Sequence, residues 1–300
     1  MKRVIEPAYA KINLLLQIVG KRQDGYHLLD GVMQTVSLAD TVTVELEPSA
    51  GRQIFLTAVG NDAMPTDERN LAFRAADAFL HTIGSGGQVR IHIEKRIPMA
   101  GGLAGGSTDA AATLRALNQL SGLPLSGKEL CKIGQTLGAD VPFCIRGGTM
   151  RTRGVGDRLT PCVGLPPCYL VIACAGEGVS TPLAYAELDR RYGDFKDAVP
   201  GDRKVEKLID AMQKGDLTAV CDGMENLFEP VIRLQNPYVE IIGNTLKNSG
   251  AAGAMMSGSG PSVFGIFASE ETARRGRDAL EKIGVPGAVC TPVNREFSIC

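Results

Sequence analysis

The stretch 98–109, PMAGGLAGGSTD, is where this sequence most plainly offers chemistry. Gly101, Gly102, Gly105 and Gly106 permit backbone conformations that a Cβ resists, and they let N–H groups come close to a ligand. A helix follows over about 108–120, with Ser107, Thr108 or Asp109 placed to cap it. A helix N-terminus presents unpaired N–H groups and a partial positive charge, which together suit phosphate. The plainer use of such a loop is a tight turn that lets helix and sheet pack. As a phosphate loop it has a gap: it holds no lysine, so a cation must come from elsewhere. Two better-known loops are excluded. G-x-G-x-x-G does not fit, and GLPLSGKE (122–129) misses the last Walker A position, where Ser or Thr should meet Mg²⁺. Ser126 reads instead as the N-cap of the next helix.

Three other groups of residues carry polar chemistry. In AYAKIN (8–13), read as a strand, Tyr9, Lys11 and Asn13 face one way and Ala10, Ile12 and Leu14 the other. Three polar-capable side chains on one face mean water or a cleft there; a solvated lysine is the plain alternative. In GADVPF (138–143), Asp140 follows a helix end at Gly138 and precedes Pro142, a place where acids mostly cap turns. Tyr26 and His27 follow the Asp24-Gly25 turn, as suited to packing as to binding. SGSGPS (257–262) is either a tight connection or a second backbone nest for anions.

The elements that must position these groups follow from periodicity. YAKINLLLQIV is a strand, Asp24-Gly25 a hairpin turn, and VMQTVSL and TVTVELEP two further strands. ERNLAFRAADAFLHTI (68–83) has helical spacing. QVRIHIEKRIP alternates Val89, Ile91 and Ile93 against Arg90, His92 and Glu94, a half-buried strand leading into the glycine stretch. A helix over about 127–137 ends at Gly138. TPCVGLPPC (160–168), with three prolines, reads as a linker. Strand YLVIACA, several helices, the second glycine stretch, strand VFGIF, a helix (269–283) and a short strand complete the chain. This order predicts α+β layers rather than regular βαβ alternation.

Composition narrows the setting. The 300 residues carry 32 Lys+Arg and 33 Asp+Glu, a formal charge of −1 that argues against nucleic acid or an anionic membrane as partner. Eight cysteines without a C-x-x-C pair, and only three histidines, argue against zinc and for reduced, mostly buried thiols. No apolar run is long enough to span a bilayer, and Glu6, Lys11 and Asn13 interrupt the first apolar stretch where a signal peptide would not. The expectation is a soluble, cytoplasmic protein.

AYAKINLLL, PMAGGLAGGSTDAA and GAMMSGSGPSVF together resemble the three signature motifs of the GHMP kinases. KINLLLQIVGKRQDGYHLL, GADVPFCIRGGTMRTRGVGD and GVSTPLAY resemble the branch of that family that acts on a cytidine diphosphate-linked methylerythritol. The matches run from residue 8 to residue 267. The resemblance implies a two-domain α+β fold with the active-site cleft between an ATP-binding unit, 1–160, and a substrate-side unit, 161–300. It implies ATP with Mg²⁺, and phosphorylation of the 2-hydroxyl of the methylerythritol unit. ATP phosphates would lie along Pro98, Met99, Ala100, Gly101, Gly102, Leu103, Ala104, Gly105, Gly106, Ser107 and Thr108, with Lys95 toward the adenine. Asp140 matches the catalytic acid position and Lys11 the catalytic lysine. Asn13 would help place the acceptor, Tyr26 and Tyr185 would flank the cytosine, and His27 would read its polar edge. Thr181 falls in the substrate-side motif, and Ser257 to Ser262 would close on the acceptor. No residue is singled out as a Mg²⁺ ligand. Ala104 and Thr108 stand where the family usually carries Gly and Ser. Two other readings stay open: a sibling kinase for another small alcohol, and a non-catalytic metabolite or nucleotide sensor on the same scaffold.

Overall fold

A computed structural model of the chain describes residues 2–178, 180–193, 195 and 203–297. Val179, within GVSTPLAY, and Cys300 lie outside them. β1 (Lys2–Lys21) and β2 (His27–Glu47) form one long antiparallel hairpin. β3 (Arg52–Val59), α1 (Leu71–Thr82), β4 (Gly87–Glu94), α2 (Gly105–Leu120), α3 (Gly127–Leu137), α4 (Val141–Arg146), β5 (Thr149–Gly154) and β6 (Arg158–Pro161) follow. The second half holds β7 (Tyr169–Ala173), α5 (Thr181–Tyr192), α6 (Lys204–Lys214), α7 (Leu217–Gly223), β8 (Glu225–Asn226), α8 (Glu229–Gln235), α9 (Tyr238–Asn248), β9 (Gly253–Met256), β10 (Val263–Phe267), α10 (Glu270–Glu281) and β11 (Gly287–Cys290).

Two sheets organise these elements. The first runs β3-β4-β2-β1-β8, with β5 paired to β2 and β6 to β5; the second runs β11-β7-β10-β9. Three apolar clusters result. In the first, α1 and α2 cover the first sheet through residues such as Phe79, Leu114 and Leu117. The second joins Ile12 and Leu14 of β1 to Leu170 and Ile172 of β7 and to Leu208 of α6. The third packs Val171 and Ala173 of β7 against Val231, Ile242 and Leu280 of the C-terminal helices. The alternation of Leu170 and Ile172 with Val171 and Ala173 is the period-two signature of a strand buried on both faces. At 25 cal/mol per Å², each fully buried Leu or Ile adds roughly 2 kcal/mol to this packing.

Several expected elements take a different form. VMQTVSL and TVTVELEP belong to one 21-residue strand, β2, which β1 pairs along its length and which therefore does not break at Ala39-Asp40. β3 was not anticipated; its side chains alternate only weakly between buried and exposed. α2 starts at Gly105, so Ser107, Thr108 and Asp109 lie inside it rather than capping it. Ala104 holds the N-cap position with φ 61° and ψ 27°, and no side chain caps the helix. The register between β1 and β2 slips between Tyr9 and Lys11. That irregularity separates Tyr9 from the face of Lys11 and Asn13, and its ring stacks on Phe297 at 5.6 Å. Ser126 does cap α3, in a capping box with Glu129, and the helix ends at Gly138 as the spacing predicts. The seven described cysteines are free thiols, and burial pushes Cys168 and Cys290 up to about 12.

Candidate active site

A cavity of about 840 Å³ opens where β1, the glycine stretch, the hairpin tip, α5 and the second glycine loop meet. Among the described residues, Lys11 is the one Lys or Arg side chain that lines it. The alternation of β1 fixes the reason: Ala10, Ile12 and Leu14 are locked in the second cluster, so Lys11 and Asn13 must point the other way. Lys11 Nζ donates to Asn13 Oδ1 at 2.8 Å and stands 3.9 Å from Asp140 Oδ2. The second distance is an ion pair and not a hydrogen bond. Two of the three ammonium donors thus make no hydrogen bond among the described residues. Asp140 sits at the N-cap of α4 without capping it, its side chain 39% exposed to the cavity. A half-paired lysine beside an open carboxylate can neutralise an incoming anion and accept a proton in one place.

The glycine stretch forms one wall. Ala100, Gly101, Gly102, Ala104, Gly105, Gly106 and Ser107 line the cavity; Pro98, Met99, Leu103 and Thr108 do not. Leu103 turns into the second cluster, and its carbonyl accepts the Lys11 N–H at 3.2 Å, which ties the loop to β1. Thr108 Oγ1 donates back to the Gly105 carbonyl at 2.8 Å. The second glycine loop packs on the first. Gly102 has φ 78°, and a Cβ there would fall 2.1 Å from the Ser257 carbonyl oxygen, so only glycine fits. Ser257 Oγ donates to the Gly102 carbonyl at 3.1 Å and accepts from Asn13 N at 3.3 Å. One buried hydroxyl thereby joins both glycine loops to β1.

Lys95 does not line the cavity. Its ammonium is closed between Asp40 and Asp109, at 2.8 Å from the latter, beneath Gly105. Burial works against its charge, but Asp109 and Asp40 outweigh that and hold Lys95 above its ordinary value. Burial, with Asp40 adding to it against Lys95, raises the Asp109 carboxyl to about 7. Asp40 also accepts from the backbone N–H groups of Arg96 and Ile97, so this trio anchors the segment that enters the glycine loop. Lys95, expected toward the adenine, is placed beneath the loop with both carboxylates on its ammonium.

At the other end of the cavity lie Tyr26, 64% exposed, and His27, Thr181 and Tyr185. Tyr185 stacks on His27, centroids 4.6 Å apart, and meets Phe228 edge-on at 4.9 Å. Burial pushes its phenol up to about 12. Asp189 takes His27 Nε2 at 2.7 Å and Lys21 Nζ at 2.5 Å. Burial alone would raise this carboxyl; the bonds from Lys21 and His27 outweigh it and hold it below its ordinary value. An ionised carboxylate only accepts, so His27 Nε2 carries the proton. Thr181 Oγ1 lies 3.0 Å from Ser259 Oγ and joins the start of α5 to the second loop. Among the described residues, no three His, Cys, Asp or Glu side chains could together hold a metal ion, and no helix is long and apolar enough to cross a membrane.

Comparison with known proteins fits this geometry. The profile of the GHMP kinases N terminal domain matches residues 70–148, and that of the GHMP kinases C terminal region matches 208–285. The chain belongs to the GHMP kinases. A relative from Exiguobacterium sibiricum, a 4-diphosphocytidyl-2-C-methyl-D-erythritol kinase, is 43% identical over 272 residues, 91% of this chain and 92% of its own. A protein of the same name from Caldicellulosiruptor saccharolyticus is 39% identical over 98% of both chains. A crystal structure of 4-(cytidine 5'-diphospho)-2C-methyl-D-erythritol kinase superposes with a TM-score of 0.79 at 35% identity, covering 96% of this chain and 99% of that one. The α+β architecture with two sheets is thus the family fold.

Sequence reasoning missed three residues that support this GHMP kinase site and gave a fourth no part of its own. Asp189 and Lys21 sit 168 residues apart, and no pattern links them. Asn226, whose amide holds the second loop, lies in a two-residue strand. Ser257 was named only as the edge of a glycine loop, yet its hydroxyl is the joint between loops. A signal for Ser257 did exist: a lone hydroxyl between Met256 and Gly258, where a nest needs no side chain.

Proposed function

We propose that this kinase transfers the terminal phosphoryl group of ATP to the 2-hydroxyl of 4-(cytidine 5'-diphospho)-2-C-methyl-D-erythritol, a step in isoprenoid precursor synthesis in the cytoplasm. Relatives named for that activity, about 40% identical over nine-tenths of the chain, support the substrate. The observation that carries the mechanism is the pairing of Lys11 and Asp140 across a cavity walled by glycine-loop backbone.

The first turn of α2 and the loop before it offer N–H groups to the triphosphate without a lysine of their own. The missing cation is Lys11, delivered by β1. Asp140 accepts the proton of the acceptor hydroxyl as the phosphoryl group arrives, and Lys11 balances the charge that develops. Asn13, bonded to the Lys11 ammonium, keeps it aimed and stands beside the acceptor. Mg²⁺, arriving with ATP, would neutralise charge on the phosphates beside the glycine loop. Tyr26 and Tyr185 flank the cytosine, His27 meets its polar edge, and Thr181 closes that end. Lys95 supports the loop from beneath. We place the division between the two units at 160–161, at the last residues of β6 and ahead of β7, the first strand of the second sheet.

The test is ADP release with ATP and Mg²⁺, in the presence of the cytidyl compound, of mevalonate, or of neither. Release with the cytidyl compound alone is expected. Release with mevalonate alone would keep the phosphoryl chemistry and overturn the assignment of Tyr26, His27 and Tyr185.

A further inference from the structure

The second glycine loop meets the cavity with Gly258 and Ser259, and two side chains outside the cavity hold it in place. Asn226, buried in β8, donates its one amide nitrogen to two carbonyls, Met256 at 2.7 Å and Gly258 at 2.9 Å. Its Oδ1 accepts from Phe228 N at 3.0 Å. Glu229, the first residue of α8, accepts the Met256 N–H at 2.8 Å. Neither side chain lines the main cavity; both line a smaller one of about 380 Å³.

What they hold bears directly on Lys11. A Cβ on Gly258 would lie 3.2 Å from Lys11 Nζ and 2.8 Å from the Gly102 carbonyl oxygen, so the loop touches both the lysine and the phosphate wall. Phe228, fixed by the same amide, lines the cavity and meets Tyr185 edge-on. An amide that satisfies two carbonyls at once fixes their separation, and here that separation sets the curvature of the loop at Gly258. We propose that Asn226 and Glu229 are positioning residues for phosphoryl transfer, acting through the second glycine loop to seat it against Lys11. The proposal rests on Lys11 being the catalytic lysine.

Three variants test it. Asn226→Asp keeps the volume and the acceptor for Phe228 N, but turns an oxygen toward two carbonyls. Glu229→Ala removes the acceptor for Met256 N, and Glu229→Gln restores one. For Asn226→Asp, kcat should fall about 10- to 100-fold, the loss a displacement of roughly 1 Å brings. ATP affinity, read by a fluorescent nucleotide, should fall far less than kcat, by no more than about five-fold, since Asn226 and Glu229 make no hydrogen bond to the first loop. Backbone amides of 257–262 should exchange faster. Glu229→Ala should move in the same direction, and Glu229→Gln should return to within about three-fold of the parent. A purely structural role would lower thermal stability but leave the kcat of the folded fraction unchanged, and that result overturns the proposal. So does a loss of kcat without faster exchange in 257–262, or equal losses in the Gln and Ala variants. If Asn226→Asp does not fold, the Glu229 pair decides by the same criteria. Should the parent release no ADP with any acceptor, the function assigned above fails; amide exchange in the variants still reports whether Asn226 and Glu229 hold the loop.

Discussion

Lys11 and Lys95 are buried alike, their side chains 5% and 4% exposed, yet their surroundings differ. Lys95 meets two carboxylates that are themselves fully buried, and the trio is closed. Lys11 has one hydrogen bond to a neutral amide and one carboxylate too far away to bond. The difference teaches that burial does not assign a role to a lysine. The number of its N–H donors already engaged does. An ammonium with two donors on buried carboxylates stabilises what surrounds it; one with a single neutral partner at a cavity wall stays available to an anion.

Removing each lysine breaks the comparison in its own way. Lys95→Met leaves Asp40 and Asp109 buried without a counter-charge and should lower stability by about 3–5 kcal/mol, read from urea unfolding. A large rise in the KM for ATP at unchanged stability would instead return Lys95 to the nucleotide. Lys11→Met should lower kcat about 10²- to 10³-fold, as loss of a charge-stabilising donor does, while the unfolding midpoint barely moves. An enzyme within a few-fold of the parent would remove Lys11 from the chemistry.

Asp109→Asn sharpens the Lys95 side through pH. The Asp109 carboxyl is raised by burial to about 7, against an ordinary 3.8, so between those values the folded protein holds a proton that the unfolded chain releases. Its contribution is greatest below about 4 and is lost as pH rises toward 7. The stability of Asp109→Asn relative to the parent should therefore improve between pH 4 and pH 7; a difference that stays flat across that window would mean Asp109 is ionised throughout. The smallest effect is expected from Ala104→Gly. Ala104 holds φ 61°, a left-handed conformation that is unfavourable for a residue with a Cβ. Glycine there should stabilise the fold by about 0.5–1 kcal/mol, net of the entropy glycine adds to the unfolded chain, with nucleotide affinity unchanged. A loss of stability would show that the alanine methyl packs usefully.

Much of the site was legible because it is local. Glycines at 101, 102, 105 and 106, the alternation through Lys11 and Asn13, and the Ser126 cap each reside in a few consecutive residues. The placement of Lys95 was not legible, because it is set by Asp40, 55 residues away, which β2 brings under the loop. A lysine just before a glycine loop looks the same in sequence whether it faces a ligand or a buried carboxylate. The separation of Tyr9 from Lys11 was hidden for a related reason: a strand's alternation is read from one chain, but an irregularity is made by two. β2 read as two strands because Ala39-Asp40 interrupts the apolar pattern, and only pairing with β1 carries the strand through.

β1 contributes to all three apolar clusters: Ala8 to the first, Ala10, Ile12, Leu14 and Leu15 to the second, Leu16 and Ile18 to the third. No cluster can open without loosening the strand that bears Lys11. Catalysis is therefore tied to global cooperativity, and turnover should disappear with the earliest subglobal opening. A partly unfolded form with residual kinase activity has no place in this architecture, and enzyme activity doubles as a gauge of whether the whole chain is folded.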